Sequence, residues 1–166
     1  MKPIVILASL LISAAAFAAE WEPEAVIYEV RALGAPTFLG FISEEGGWER
    51  YEALLAKIES QPEDWIDVAM LLWPYTDAGA STALQVTLAR SIQRAPGSIL
   101  DNLDIEDIRQ ACSVPLIEPS AEEYYGFIHR TKEAVEQLQS PPLQEKREAC
   151  LQELEIAQAR KVEQWD

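Results

Sequence analysis

From residue 48 onward the chain is written in a helical period. Trp48, Tyr51, Leu54, Leu55 and Ile58 recur at steps of three and four, which puts them on one face of a helix. Ser60-Gln61-Pro62-Glu63-Asp64 opens the next segment. Proline sits there at an early helical position, where its missing N–H costs nothing, and the acids fall in the positive first turn. Trp65, Ile66, Val68, Ala69, Leu71 and Leu72 cover most sides of this segment, so it belongs in the middle of the molecule, and Pro74 ends it. Ser81 is the expected cap of a third helix with the inner face Leu84, Leu88, Ser91 and Ile92. After Pro96-Gly97-Ser98 come two short helices, one carrying Ile99, Leu100 and Leu103, the other Ile105, Ile108 and Cys112 with Asp104 as its cap.

Ser120-Ala121-Glu122-Glu123 has the S-x-x-E form of a capping box. It starts a long helix with Tyr124, Ile128, Thr131, Val135 and Leu138 on one face, closed by Pro141-Pro142. The last helix places Leu143, Cys150, Leu154 and Ala157 inward and then turns polar, so its end is expected to fray. Residues 24–42 admit two readings. Val26, Ile27, Val30 and Leu33 suit a helix, while the β-branched run Ala25-Val26-Ile27-Tyr28 suits a strand. Helix is preferred, because no other segment offers a strand to pair with. Gly46-Gly47 halts whatever precedes the next helix.

The pattern predicts an all-α fold, a compact array of six to eight short antiparallel helices. Residues 48–59 with 62–73, and 81–94 with 97–112, read as stacked hairpins of HEAT-like kind, although no residue-level repeat supports the label.

The first eighteen residues stand apart. Met1-Lys2 gives a positive start, Ile4 to Ile12 an apolar run, and Ala14-Ala15-Ala16-Phe17-Ala18 a small-residue end with an A-x-A site. This is the layout of a secretory signal peptide, with cleavage expected before Ala19 and the product periplasmic or secreted. The run is too short for a good spanning helix, so no membrane insertion is expected after cleavage. Removing 18 of 166 residues leaves 148, residues 19–166, the size of one domain with a single core.

Charge narrows the partners. The leader holds one of the thirteen basic residues and no acid, so the mature chain sets 12 basic against 28 acidic residues, a balance of −16 with histidine neutral. Such a field repels phosphate backbones, so no nucleic acid is expected, and it favours a protein partner with a basic face. Cys112 and Cys150 are the only cysteines, and in an oxidising compartment an even pair reads as a disulfide.

The inventory of reactive groups is thin. His129 is the single histidine, and Gly126 stands where a Glu-x-x-His motif would need its glutamate. No G-x-S-x-G elbow, phosphate loop or H-E-x-x-H motif is present. No catalytic, cofactor or metal residue is therefore assigned. The acid groups Glu122/Glu123, Asp104/Glu106/Asp107 and Glu44/Glu45 are the one route to acid–base chemistry, and they read more simply as helix starts. Trp48, Trp65 and Trp73 read as core; Trp21, Tyr125 and Trp165 are the candidate contact aromatics.

The expected function is a non-enzymatic, acidic, exported helical protein acting by protein–protein binding, as an immunity-type inhibitor or an adaptor. Size, export, helicity and acidity carry that analogy, at the level of class. A carboxylate-based cell-wall hydrolase and a passive envelope-stress protein are the alternatives.

Overall fold

The computed structural model describes residues 21–44 and 48–160. The expected leader, Glu45, Gly46 and Gly47, residues 161–166 of the end expected to fray, and with them Trp165, lie outside them. Nine α-helices and no strand occur among the described residues: α1 Pro23–Leu33, α2 Ala35–Glu44, α3 Glu49–Ser60, α4 Pro62–Leu72, α5 Ala78–Ser91, α6 Pro96–Asn102, α7 Ile105–Cys112, α8 Ala121–Glu136 and α9 Gln144–Ala159.

The class is as expected and the count is one higher than the upper bound. The added helix comes from the segment read ambiguously. Pro23 starts α1, and Gly34 at φ +83° stops it. That left-handed geometry suits glycine, and the chain re-enters a helix at once, bent by 113°. Val26 and Val30 are buried, whereas Leu33, the last residue of α1, is 47% exposed. No single described helix is long and apolar enough to cross a membrane; α1 and α2 pass on composition only as this bent pair.

α4 lies against α1, α2, α3 and α6. Its apolar girth explains that central place: Trp65, Ile66, Val68, Ala69 and Leu72 are all buried. α3, α5, α7 and α9 follow one another in contact, and α8 packs on α9. Leu54, Ile58, Leu84, Leu88, Ile92 and Ile108 line the continuous core between them. Trp48 departs from its predicted stripe. It sits at the cap of α3, half exposed, with its ring edge-on to Tyr51 at 5.5 Å between ring centres and close to Gly79.

The helix starts follow local chemistry. Asp104 accepts from the Asp107 N–H at 2.8 Å, and Ser120 and Glu123 form a complete capping box. Ser81 is not the cap of α5. Asp77, four residues earlier, accepts from the Ala80 N–H and takes that role, which draws Ser81 into the helix. At the other end of α8, Arg147 of α9 donates to the carbonyls of Val135 and Glu136, groups that a helix terminus leaves open. α8 thereby stops at Glu136, short of Pro141-Pro142.

Two long-range ties complete the frame. The Tyr124 hydroxyl donates to the Ala157 carbonyl at 3.0 Å, and Cys112 is joined to Cys150 with Cα atoms 5.3 Å apart. Both bind α9 into the body.

Candidate functional site

Residues from α3, the end of α5, the α7–α8 loop and α8 enclose an open cleft of about 670 Å³. Glu59 at the end of α3 and Arg90, Gln93 and Arg94 at the end of α5 form one side. Leu116, Ile117 and Pro119 of the α7–α8 loop form a second, and Phe127, Arg130, Glu133 and Ala134 of α8 a third. The cleft therefore has an apolar wall and, in an acidic chain, three of its thirteen basic residues.

The loop supplies that wall by an unusual backbone. Val114 at φ 63° and Glu118 at φ 44° both lie in the left-handed region, which a β-branched valine avoids. Such strain, of order 1–3 kcal/mol per residue, persists only where the surroundings hold it. Here Val114 is buried, and the chain two residues before it is fixed by Cys112. The result holds Ile117 71% exposed at the cleft margin.

Arg130 is held in place by a chain of hydrogen bonds. Its Nε–H donates to Gln93 Oε1 at 3.0 Å. A guanidinium has donors only, so Gln93 must turn its oxygen to Arg130 and its amide nitrogen the other way. That nitrogen meets the hydroxyl of the fully buried Thr131 at 3.2 Å. Gly126, one turn before Arg130, makes room for it: a Cβ there would lie 3.0 Å from Arg130 Nη1. Arg130 is thus positioned by the core while its outer nitrogens remain at the surface.

The acids of the cleft are unequal. Glu59 lies 3.7 Å from Arg90. Glu123 is held by its own helix cap, accepting from the backbone N–H and hydroxyl of Ser120, which with nearby Arg90 keep its carboxyl below the usual range. Glu133 has no such partner among the described residues, and neither does the guanidinium of Arg94. What remains to meet an incoming ligand is Arg94, the outer edge of Arg130, and Glu133 one turn further along α8.

The residues singled out from sequence fall elsewhere. Tyr125 is 44% exposed, edge-on to buried Tyr124, and with His129 and Lys132 borders a second shallow hollow on another side of α8. Trp21 is half-buried and packs on the core. His129 is exposed. Of the acid groups, Asp104 and Glu123 serve as helix caps, and Asp107 is raised above its usual range by burial and by the charges of Asp104 and Glu106. Among the described residues no group of three histidine, cysteine or acidic side chains is placed to hold a metal ion.

The arginine cleft was not anticipated. Its one sequence signal is the scarcity of basic residues, which makes Arg90 and Arg94, four apart at the end of α5 and in the turn after it, a local exception. Comparison of the chain with protein-family models, with curated proteins and with solved structures found no match.

Proposed function

We propose that this chain works by binding another protein, as an exported, non-enzymatic inhibitor or adaptor of the immunity type. The observation that carries the reading is the cleft, an open surface feature with a core-anchored arginine across from the exposed Ile117. Preorganised side chains bind with less loss of rotamer freedom, and arginine and exposed apolar groups are the usual anchors of a protein contact. The leader and the Cys112–Cys150 pair support an oxidising, periplasmic or secreted location. The next-but-one contacts of α3, α5, α7 and α9 support the HEAT-like stacking of hairpins.

The acidity of the mature chain favours a partner with a basic face. Complementary fields act mainly on the association rate, and raising ionic strength from about 0.01 M to 0.15 M shortens the Debye length from roughly 30 Å to 8 Å. The test is affinity capture from the envelope fraction, then stopped-flow kinetics with the purified partner. Association should slow markedly across that salt range while dissociation changes little. Failure to recover a stoichiometric partner would overturn the binding function, and a flat association rate would reduce the acidity to a solubility device.

A further inference from the structure

Within a chain that carries 28 acidic residues against 13 basic ones, the cleft gathers three arginines, and two of them have no ion-pair partner among the described residues. Arg90 is taken up by Glu59. Arg94 has no partner among the described residues, and Arg130 spends only its Nε–H, on Gln93. Guanidinium groups match the planar, two-oxygen geometry of a carboxylate.

We infer that this cleft is a receptor for a single peptide carboxylate flanked by an apolar residue, received between Arg94 and Arg130 with the apolar group against the exposed Ile117 and the half-buried Leu116. The inference rests on the protein-binding function proposed above and names the chemistry of the contact. Charge decides between anions. The chain's overall field opposes a multiply charged phosphate, whereas one carboxylate can be neutralised locally by two arginines. Glu133 tightens the requirement: a ligand with a second acid there would meet repulsion, and one with a basic group would meet an ion-pair partner. The apolar wall adds what a free inorganic anion cannot use.

Gln93 is the positioning residue. Its oxygen fixes Arg130 and its nitrogen is anchored on Thr131, so the guanidinium enters binding already oriented. Gly126 belongs to the same arrangement, since a side chain there would push Arg130 away.

The experiment is calorimetric titration of the oxidised protein with short synthetic peptides ending in Lys-Gly-Leu, as free acid and as C-terminal amide, and with an amidated peptide carrying an internal Leu-Glu or Leu-Gln. Binding by either carboxylate peptide, at least tenfold tighter than by its neutral counterpart, is the expected result, and the better of the two tells a chain terminus from a glutamate side chain. R94Q and R130Q should each weaken it about tenfold or more, as lost charge-assisted hydrogen bonds do. Q93L should weaken it less, and should broaden the Arg130 Nε–H resonance in nitrogen-correlated NMR, which a change confined to folding would not do. Unchanged thermal melting of R94Q and R130Q, both at exposed sites, confirms that the fold survives, while Q93L, which leaves the buried Thr131 hydroxyl without its partner, should melt slightly lower yet fold. Equal binding of acid and amide, equal displacement by inorganic phosphate, or indifference to R94Q and R130Q would overturn the assignment. A captured natural partner that ignores both arginine variants overturns the cleft alone; failure to capture any partner overturns the binding function alone.

Discussion

Breaking the bond between Cys112 and Cys150 should remove a large part of this protein's stability. The two cysteines are separated by 38 positions, and both are fully buried where α7 packs on α9. In the chain-entropy model a loop of this size restricts the unfolded state by about 4 kcal/mol at 25 °C. Reduction alone leaves both sulfur atoms in the core, so it isolates that contribution. Replacing both by alanine also removes packing, adding about 1 kcal/mol at each site. Single domains are stable by only about 5–15 kcal/mol, so the double alanine variant loses a third or more of any value in that range.

The assay is urea unfolding of residues 19–166 followed by circular dichroism, for the oxidised form, the reduced form and C112A/C150A. The reduced form should lose about 4 kcal/mol and melt roughly 8–16 °C lower. Its m value should rise, because an uncrosslinked chain exposes more surface when unfolded. Reductant should act slowly on the native state, since neither sulfur is accessible until α7 and α9 separate. A difference below about 1 kcal/mol between oxidised and reduced forms would refute the entropic argument and imply that the open chain already keeps residues 112 and 150 together.

Other outcomes follow from single residues. Leu88→Ala, at a site 1% exposed, should cost about 2–5 kcal/mol in urea unfolding through lost transfer energy and a cavity. Asp104→Ala removes the cap of α7 and should cost about 1 kcal/mol by the same measurement. Tyr51 donates to the Ala80 carbonyl, and its burial raises its hydroxyl well above the ordinary 10.0. The native state then holds this proton after the unfolded chain has released it, so stability should fall as pH climbs past about 10, where free tyrosine ionises. Tyr51→Phe should flatten that alkaline slope, at a cost of about 1 kcal/mol near pH 7 for the lost hydrogen bond. Asp107 is also raised, so its charged form is disfavoured in the fold and the benefit of its proton disappears as pH rises through its folded pKa. Asp107→Asn should therefore raise the melting temperature at pH 7, and the gain should shrink in acid; a gain unchanged at acid pH would refute the electrostatic cause.

What could be read from sequence was the local part. The Asp104 cap and the Ser120–Glu123 box need only three neighbouring residues, and both occur as written. The central place of α4 followed from its apolar girth, and the inner face of α5 from its spacing. Ser81 failed as a cap because Asp77 offered a carboxylate earlier in the same stretch, a competition that residue type alone does not decide. α2 was missed because the helical stripe read within residues 24–42 stopped at Leu33, and the turn that Gly34 makes at positive φ, from which a second helix starts, carries no period of its own. The cleft was hidden for a different reason. Its walls come from residues 59, 90–94, 116–119 and 123–137, and no sequence window contains them.

The bond between α7 and α9 also fixes how the chain is connected. Every residue from Ser113 to Ala149 lies inside a covalent ring, including the whole of α8, the strained loop and Arg130. Within that ring Ile117 and Glu118 form an exposed loop peptide, outside any helix, that an endopeptidase could reach. A cut there opens the ring without dividing the molecule. The two pieces stay linked through Cys112 and Cys150, run as one species until reduced, and differ from the intact chain in mass only by one water. Any processing of the loop beside the cleft would thus remodel one wall of that cleft while leaving α8 and α9 tethered to the body.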